Sequence, residues 1–82
     1  MSVLEILAKE THDAKGLEHI QHLRVLRNYI AISTEEALIE AINHINDTEV
    51  LRTLVETGLH KKLLEVVTIR YDDITKRMAG VR

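Results

Sequence analysis

Histidine is the residue type through which this sequence could most readily do chemistry, because five histidines occur among its 82 residues. Glu18 and His22 are four residues apart, and His19 and His22 are three apart, so on a helix these side chains lie on adjacent turns. Two of them could hold a metal ion, and His12 and Asp13 lie nearby along the chain. Zinc sites, however, use several ligands that are themselves held by further hydrogen bonds. We therefore interpret these histidines as members of polar helix faces and predict no metal-binding residues.

Nucleophilic and acid–base catalysis find little support in the residue types present. The sequence contains no cysteine and no glycine-rich loop of the kind that cradles phosphates. Ser2 and Ser33 each stand just before a helical pattern, where a serine caps the helix N-terminus. Asp72 and Asp73 could hold a cation, but a helix cap beside a solvated neighbour explains them better. We predict no catalytic or cofactor-binding residues, and a protein that is not an enzyme.

Length and composition predict one small helical domain covering residues 1–82. Apolar residues make up 45% of the sequence but aromatic residues only 2%, so the core must be aliphatic. A small domain without cysteine cannot be supported by disulfides, and self-association is then one of the remaining supports. No apolar run reaches the ~20 residues of a membrane span, and the first residues lack the basic lead of a signal peptide. We expect a soluble, cytoplasmic protein with no membrane partner.

The spacing of apolar residues predicts an all-α fold of four to five antiparallel helices. The helices are predicted over about residues 3–14, 17–31, 34–45, 48–57 and 59–78. The apolar stripe of the last segment consists of Leu59, Leu63, Val67, Tyr71, Ile74 and Met78. It forms either one helix or two helices divided at Asp72 and Asp73. The boundaries carry residue types that start or end helices: pairs with capping-box spacing (Ser2 with Glu5, Ser33 with Glu36), an N-cap aspartate (Asp47) and two glycines (Gly16, Gly58).

A partial internal repeat bears on how these helices are arranged. The stretch AINHIND, residues 41–47, aligns with VTIRYDD, residues 67–73, and the alignment places Asp47 on Asp73. Each copy reads as an apolar helix followed by a polar joint that ends in aspartate. The repeat favours stacked α-hairpins, and a small helical bundle is the alternative.

The pattern over residues 37–74 also resembles a known family of repeats. The positions that carry the resemblance are Ala41, Ile45, Asp47, Leu51, Leu54, Leu64, Val67 and Asp73. Together they resemble short α-hairpin repeats of the HEAT-like and armadillo-like kind, which implies stacked antiparallel helix pairs that bind partners along a concave surface. Members of the HEAT family have longer repeats, often carry a proline in the first helix, and favour an aspartate–arginine ladder. This chain has no proline, and Arg70 is its one candidate for such an arginine.

Protein binding without catalysis is the function that we favour, with self-association as a homodimer as one form of it. Val25, Ile39 and Val66 flank the main apolar faces and could remain exposed as part of a partner surface. The alternative is that these three residues complete the core. The sequence does not identify the protein partner.

A small nucleic-acid-binding regulator that uses the basic C-terminal segment, residues 59–82, is the alternative function. This segment contains Lys61, Lys62, Lys76, Arg77 and Arg82. Against it, residues 33–58 hold six acidic residues and one basic residue, and such a surface repels phosphates. The segment also lacks the cluster of Asn, Gln or Arg residues that reads base edges. We therefore place protein binding ahead of nucleic-acid binding.

Overall fold

The chain folds into α-helices, with no strand among residues 2–80, which are the residues that this computed structural model describes. The prediction of an all-α fold is confirmed. None of the helices in this part of the chain is both long enough and apolar enough to cross a membrane. The helices are α1 (Val3–Asp13), α2 (Leu17–Ile32), α3 (Glu35–Asn43), α4 (Thr48–Glu56) and α5 (Lys61–Gly80).

An aliphatic core draws buried residues from all five helices. α1 packs against both α2 and α4, whereas α5 packs against α3 and α4. α4 is central to this arrangement, and its residues Val50, Leu51 and Leu54 are almost completely buried. Full burial of such a side chain contributes about 1.5–3 kcal/mol to folding. The remaining buried apolar residues are Leu4, Ala8, Leu26, Leu38, Ile42, Ile45, Leu63, Val67 and Ile74.

The joint between α3 and α4 connects two helices that pack on different neighbours. α3 packs chiefly on α5, whereas α4 packs on α1 and α5, and α3 with α4 is not among the main helix contacts of residues 2–80. The joint is short, because only residues 44–47 separate the two helices. It does not close a hairpin of two helices packed side by side. These contacts describe a small five-helix bundle better than a stack of hairpins.

Two predicted N-caps are confirmed by their hydrogen bonds. Ser2 Oγ accepts from the backbone N–H of Glu5 at 3.2 Å, at the start of α1. Asp47 Oδ1 accepts from the backbone N–H of Glu49 at 2.9 Å, at the start of α4. Each bond satisfies an N–H group that has no partner within the helix, which is why these residue types start helices.

The predicted cap of α3 is wrong by one residue. Thr34, not Ser33, is the N-cap, and its hydroxyl accepts from the N–H of Ala37 at 3.2 Å. Ser33 instead ends α2: its N–H bonds the carbonyl of Ile30, and its Oγ donates to the carbonyl of Tyr29 at 2.7 Å. Both residues carry a hydroxyl that could cap a helix, but the hydroxyl of Ser33 is bonded to the last turn of α2.

Gly58 ends α4 in the left-handed conformation predicted for it. Its φ is +77°, a value that residues with a Cβ rarely adopt, and its N–H bonds the carbonyl of Val55. Gly16 was predicted to end or loosen α1, but α1 already ends at Asp13, and Gly16, with φ +61°, is the residue before α2.

α5 runs unbroken through Asp72 and Asp73, so of the two alternatives the single helix is correct, and the joint that the repeat placed at Asp73 is wrong. Asp73 Oδ2 accepts from Nη1 of Arg70 at 3.2 Å and lies 3.2 Å from Nη2 of Arg77. Asp72 Oδ2 lies 3.0 Å from Nζ of Lys76. Because each carboxylate pairs with a cation one turn away on the same helix, the aspartates support α5 and do not start a new helix. The resemblance to HEAT-like repeats loses its second joint and stays a prediction.

Arg70 of α5 holds the α3–α4 joint, as part of a cluster that we call the Arg70 clamp (Arg70, Ile45, Asn46 and Asp73). Its Nε donates to the carbonyl of Ile45 at 2.9 Å, Nη2 donates to Asn46 Oδ1 at 2.6 Å, and Nη1 donates to Asp73 Oδ2 at 3.2 Å. The Arg70 side chain is only 12% exposed. One guanidinium thus satisfies a carbonyl beyond the end of α3 and fixes α5 against the joint.

Two of the other three joints are also held by a basic side chain. At the α4–α5 joint, Arg27 of α2 donates through Nε to the carbonyl of Thr57 at 3.2 Å. At the end of α1, His19 Nδ1 lies 2.7 Å from the carbonyl of Thr11. Carbonyl groups near helix C-termini carry partial negative charge, so basic side chains are favourable partners for them.

Asp47→Ala should lower the free energy of unfolding by ~0.5–2 kcal/mol, because it removes the acceptor that caps α4. Urea unfolding followed by circular dichroism measures the change. Asp47→Asn is the matched control, since an asparagine oxygen can accept the same bond, and it should lose much less. Equal stability of the alanine variant and the wild type would show that the cap contributes nothing.

Arg70→Gln should lower the free energy of unfolding by ~1–3 kcal/mol, because the Ile45 carbonyl loses its donor. Arg77→Gln is the control: it removes a cation from the same Asp73, but at an exposed site where an ion pair contributes about 0–1 kcal/mol. The same urea titration compares the two variants. If both lose the same free energy, the Arg70 clamp is no more than a surface ion pair.

Candidate functional site

His19 and His22, the candidate metal ligands, contact different partners. His19 points away from its neighbour: Nδ1 faces the Thr11 carbonyl, and Nε2 lies 3.1 Å from Glu56 Oε2 on α4. His22 Nε2 lies 3.6 Å from Glu18 Oε1, one turn back on α2. Within residues 2–80, no group of three or more His, Asp or Glu side chains is placed to hold a metal ion. His12 and Asp13 lie exposed at the end of α1.

His19 is placed to carry a positive charge. Both of its ring nitrogens face oxygen acceptors, so both bonds form only when both nitrogens carry a proton. The hydrogen bond to Glu56 raises the pKa of His19 above its ordinary value, and the bond to the Thr11 carbonyl raises it further. In its charged form this side chain links α1, α2 and α4.

Most of the basic residues predicted to form a nucleic-acid surface are paired with carboxylates. Lys62 Nζ lies 2.9 Å from Glu35 Oε1, Lys76 pairs with Asp72, and Arg77 pairs with Asp73. Arg70 is engaged at the α3–α4 joint. Arg82, which was counted with them, lies outside the described residues. The C-terminal segment is therefore a surface of mixed charge.

Of the three residues expected to remain exposed on the flanks, one does so. Val25 is 53% exposed, whereas Ile39 and Val66 are half-buried and pack against the core. The alternative that such residues complete the core is correct for these two. α1 and α2 also carry exposed apolar side chains: Val3, Ile6, Leu17, Ile20 and Ile32.

A regular line of apolar and threonine side chains on the surface of α5 was not predicted from the sequence. We call it the α5 outer face, and it consists of Leu64, Thr68, Tyr71, Thr75 and Met78. Their spacing of four, three, four and three residues places them along one side of α5. Met78, assigned above to the last helix, is 69% exposed, Leu64 is 37% exposed, and Tyr71 is half-buried.

The two threonines of the α5 outer face make it more apolar than their residue type indicates. Thr68 Oγ1 donates to the carbonyl of Leu64 at 2.8 Å, and Thr75 Oγ1 donates to the carbonyl of Tyr71 at 2.9 Å. Each hydroxyl is thus bonded inside its own helix, and a partner that covers the face does not leave it without a hydrogen bond.

The signal for the α5 outer face was present in the sequence. The core-facing side of α5 consists of Leu63, Val67 and Ile74. Tyr71 and Met78 were predicted with that side, and this is correct for Tyr71, which is half-buried and packs against the core, whereas Met78 is exposed. The second line, which has spacing of three and four residues and also passes through Tyr71, is visible in the sequence of α5.

The pH dependence of stability should contain a contribution from His19. Its pKa is raised on folding, so its contribution is fully present below the unfolded pKa of about 6.5 and is lost as the pH rises through the folded pKa. Glu56→Gln removes the largest cause of the shift, so NMR titration should show a lower pKa for His19 in this variant. Between about pH 5.5 and about pH 8.5, on either side of the ordinary histidine pKa, the variant should lose less stability than the wild type. An unchanged His19 pKa in Glu56→Gln would contradict the contact.

Comparison of this chain with models of protein families, with curated proteins and with solved structures found no match. A proposal for its function therefore rests on its own residues and their geometry.

Proposed function

We propose that this protein is a non-catalytic protein–protein interaction module that associates with a second copy of itself through the α5 outer face. The observation that carries the proposal is the spacing of Leu64, Thr68, Tyr71, Thr75 and Met78 on the surface of α5. Repeats of three and four residues are the pattern by which one helix packs its side chains between those of another.

The border of the α5 outer face supports an interface with protein. Lys61, Glu65, Asp72 and Lys76 line one side of it, two of each sign, and all four are exposed. A polar, mixed border around an apolar centre is the common composition of protein interfaces. A face bordered by both signs does not attract a polyanion, which is why protein binding is preferred to nucleic-acid binding.

The size of the domain supports self-association in particular. A chain of 82 residues without cysteine forms a small core and has no disulfide to support it. Pairing of two copies along α5 would bury Leu64 and Met78, which each copy alone leaves in water. We propose the cytoplasm as the location, on the absence of cysteine from the sequence.

Sedimentation equilibrium at several protein concentrations tests this function. The wild type should show a mass that rises with concentration toward that of a dimer. Thr68→Lys should weaken the association by at least about tenfold, because a charged side chain at the centre of a helix–helix seam must be desolvated. Thr68 is exposed, so its replacement leaves the core intact.

Val25→Lys is the matched control, since it places the same charge at an exposed apolar position on α2. It should leave the association unchanged. A wild-type protein that stays monomeric at the highest concentration reached would contradict the proposal, and so would equal weakening by the two substitutions. A gel-shift assay with random-sequence duplex DNA at low salt should show no binding.

A further inference from the structure

A second surface feature is a cleft where α2, the start of α3 and the α4–α5 joint meet. Its volume is about 410 Å³, within the range of pockets that hold small ligands or single side chains. Ile30, Leu38, Leu59 and Leu63 give it an apolar floor. Leu38 and Leu63 belong to the buried core, so the floor is fixed by the packing of the bundle.

The rim of the cleft presents a positively charged group that is held in place. Arg27 donates through Nε to the Thr57 carbonyl at 3.2 Å, which orients the guanidinium plane. Within residues 2–80, its two terminal amino groups make no other hydrogen bond. A guanidinium that is fixed through Nε can present these groups to an anion as a pair of parallel donors.

Glu35 is the one carboxylate that lines the cleft, and its charge is already balanced. Its Oε1 lies 2.9 Å from Lys62 Nζ, and its Oε2 lies 3.7 Å from His60 Nε2. The hydrogen bond from Lys62 lowers the pKa of Glu35, so its carboxyl group stays ionised in this pair. Arg27 is therefore the charge on the rim that lacks a carboxylate partner within residues 2–80.

We propose that this cleft binds the C-terminus of a protein chain that ends in an aliphatic residue. The terminal carboxylate would pair with the guanidinium of Arg27, and the last side chain would lie on the floor between Leu38 and Leu63. An extended chain end, and not a free acid, is favoured because residues 58–60, on one wall, are outside any helix. Within residues 2–80, the Gly58 N–H and the His60 carbonyl are already bonded, to Val55 and Leu64. The N–H groups of Leu59 and His60 remain to bond an extended peptide.

This site is independent of the proposed self-association. The cleft has a charged group fixed above an apolar floor, and none of the residues of the α5 outer face lines it. The Thr68→Lys variant, which alters the α5 outer face, should bind the peptide as the wild type does. The two proposals can therefore fail separately.

The test is an NMR titration of the ¹⁵N-labelled protein with a short acetylated peptide that ends in leucine. The peptide with a free terminal carboxylate should shift the amide signals of residues 58–60 in a saturable way. The same peptide with an amidated end should bind at least about tenfold more weakly, because the charge-assisted pair with Arg27 is lost. Equal affinity of the two peptides, or shifts centred away from the cleft, would overturn the proposal.

Octanoate is the third probe, because it carries the same carboxylate on an aliphatic group without a peptide backbone. It should bind more weakly than the peptide acid. Tighter binding of octanoate would show that the cleft takes free carboxylic acids, which overturns the assignment to a chain end.

Substitutions at Ala31 provide a matched pair of variants, since Ala31 lies on the rim and is exposed. Ala31→Glu places a negative charge beside Arg27 and should weaken binding of the peptide acid by about tenfold. Ala31→Gln adds a side chain of the same size without the charge and should bind nearly as the wild type. An equal effect of the two variants would show that size and not charge governs the site, against the proposal.

Discussion

The Arg70 guanidinium at the α3–α4 joint is the interaction on which the rest of this structure depends. It bonds the Ile45 carbonyl, the Asn46 amide and the Asp73 carboxylate at once, from a side chain that is almost buried. A buried carbonyl without a donor costs about 1–3 kcal/mol. Separation of α5 from the joint would leave the Ile45 carbonyl without its donor, so the two parts stabilise each other. The clamp also explains why α5 does not break: Asp73 is needed as a partner of Arg70 and is not available to start another helix.

The charge of the surface depends on which partners the basic side chains bind within the bundle. Arg70, Arg27 and His19 each reach a carbonyl at the end of another helix, and Lys76 and Arg77 pair along α5. What α5 then presents outward is an apolar line with both signs of charge beside it, which is the basis for proposing that it binds another helix. Lys76 and Arg77 are thus paired with carboxylates of their own helix, even though the composition of the C-terminal segment is basic.

The sequence predicts the features that local chemistry decides, and it misses those that depend on contacts between distant residues. The caps at Ser2 and Asp47 and the left-handed Gly58 each depend on a few adjacent residues, and these predictions are correct. Ser33 fails because Thr34 offers the same hydroxyl one residue later. The joint expected at Asp73 fails because its Arg partners lie one turn away, and the bond from Arg70 to Ile45 spans 25 residues. The α5 outer face was missed because Met78 was grouped with the core stripe and because Tyr71, which does pack against the core, lies on both faces.

The proposed pairing of two copies along α5 is tested most directly by a distance between labels on the two copies. The chain has no native cysteine, so a single nitroxide can be attached through an introduced one. The two labelling variants are Glu65→Cys, beside the α5 outer face, and Gln21→Cys, on the exposed side of α2. Pulsed electron paramagnetic resonance should give a defined distance between copies for the Glu65 label that is shorter than that for the Gln21 label. A shorter distance at Gln21, or no coupling between copies at Glu65, would contradict the account.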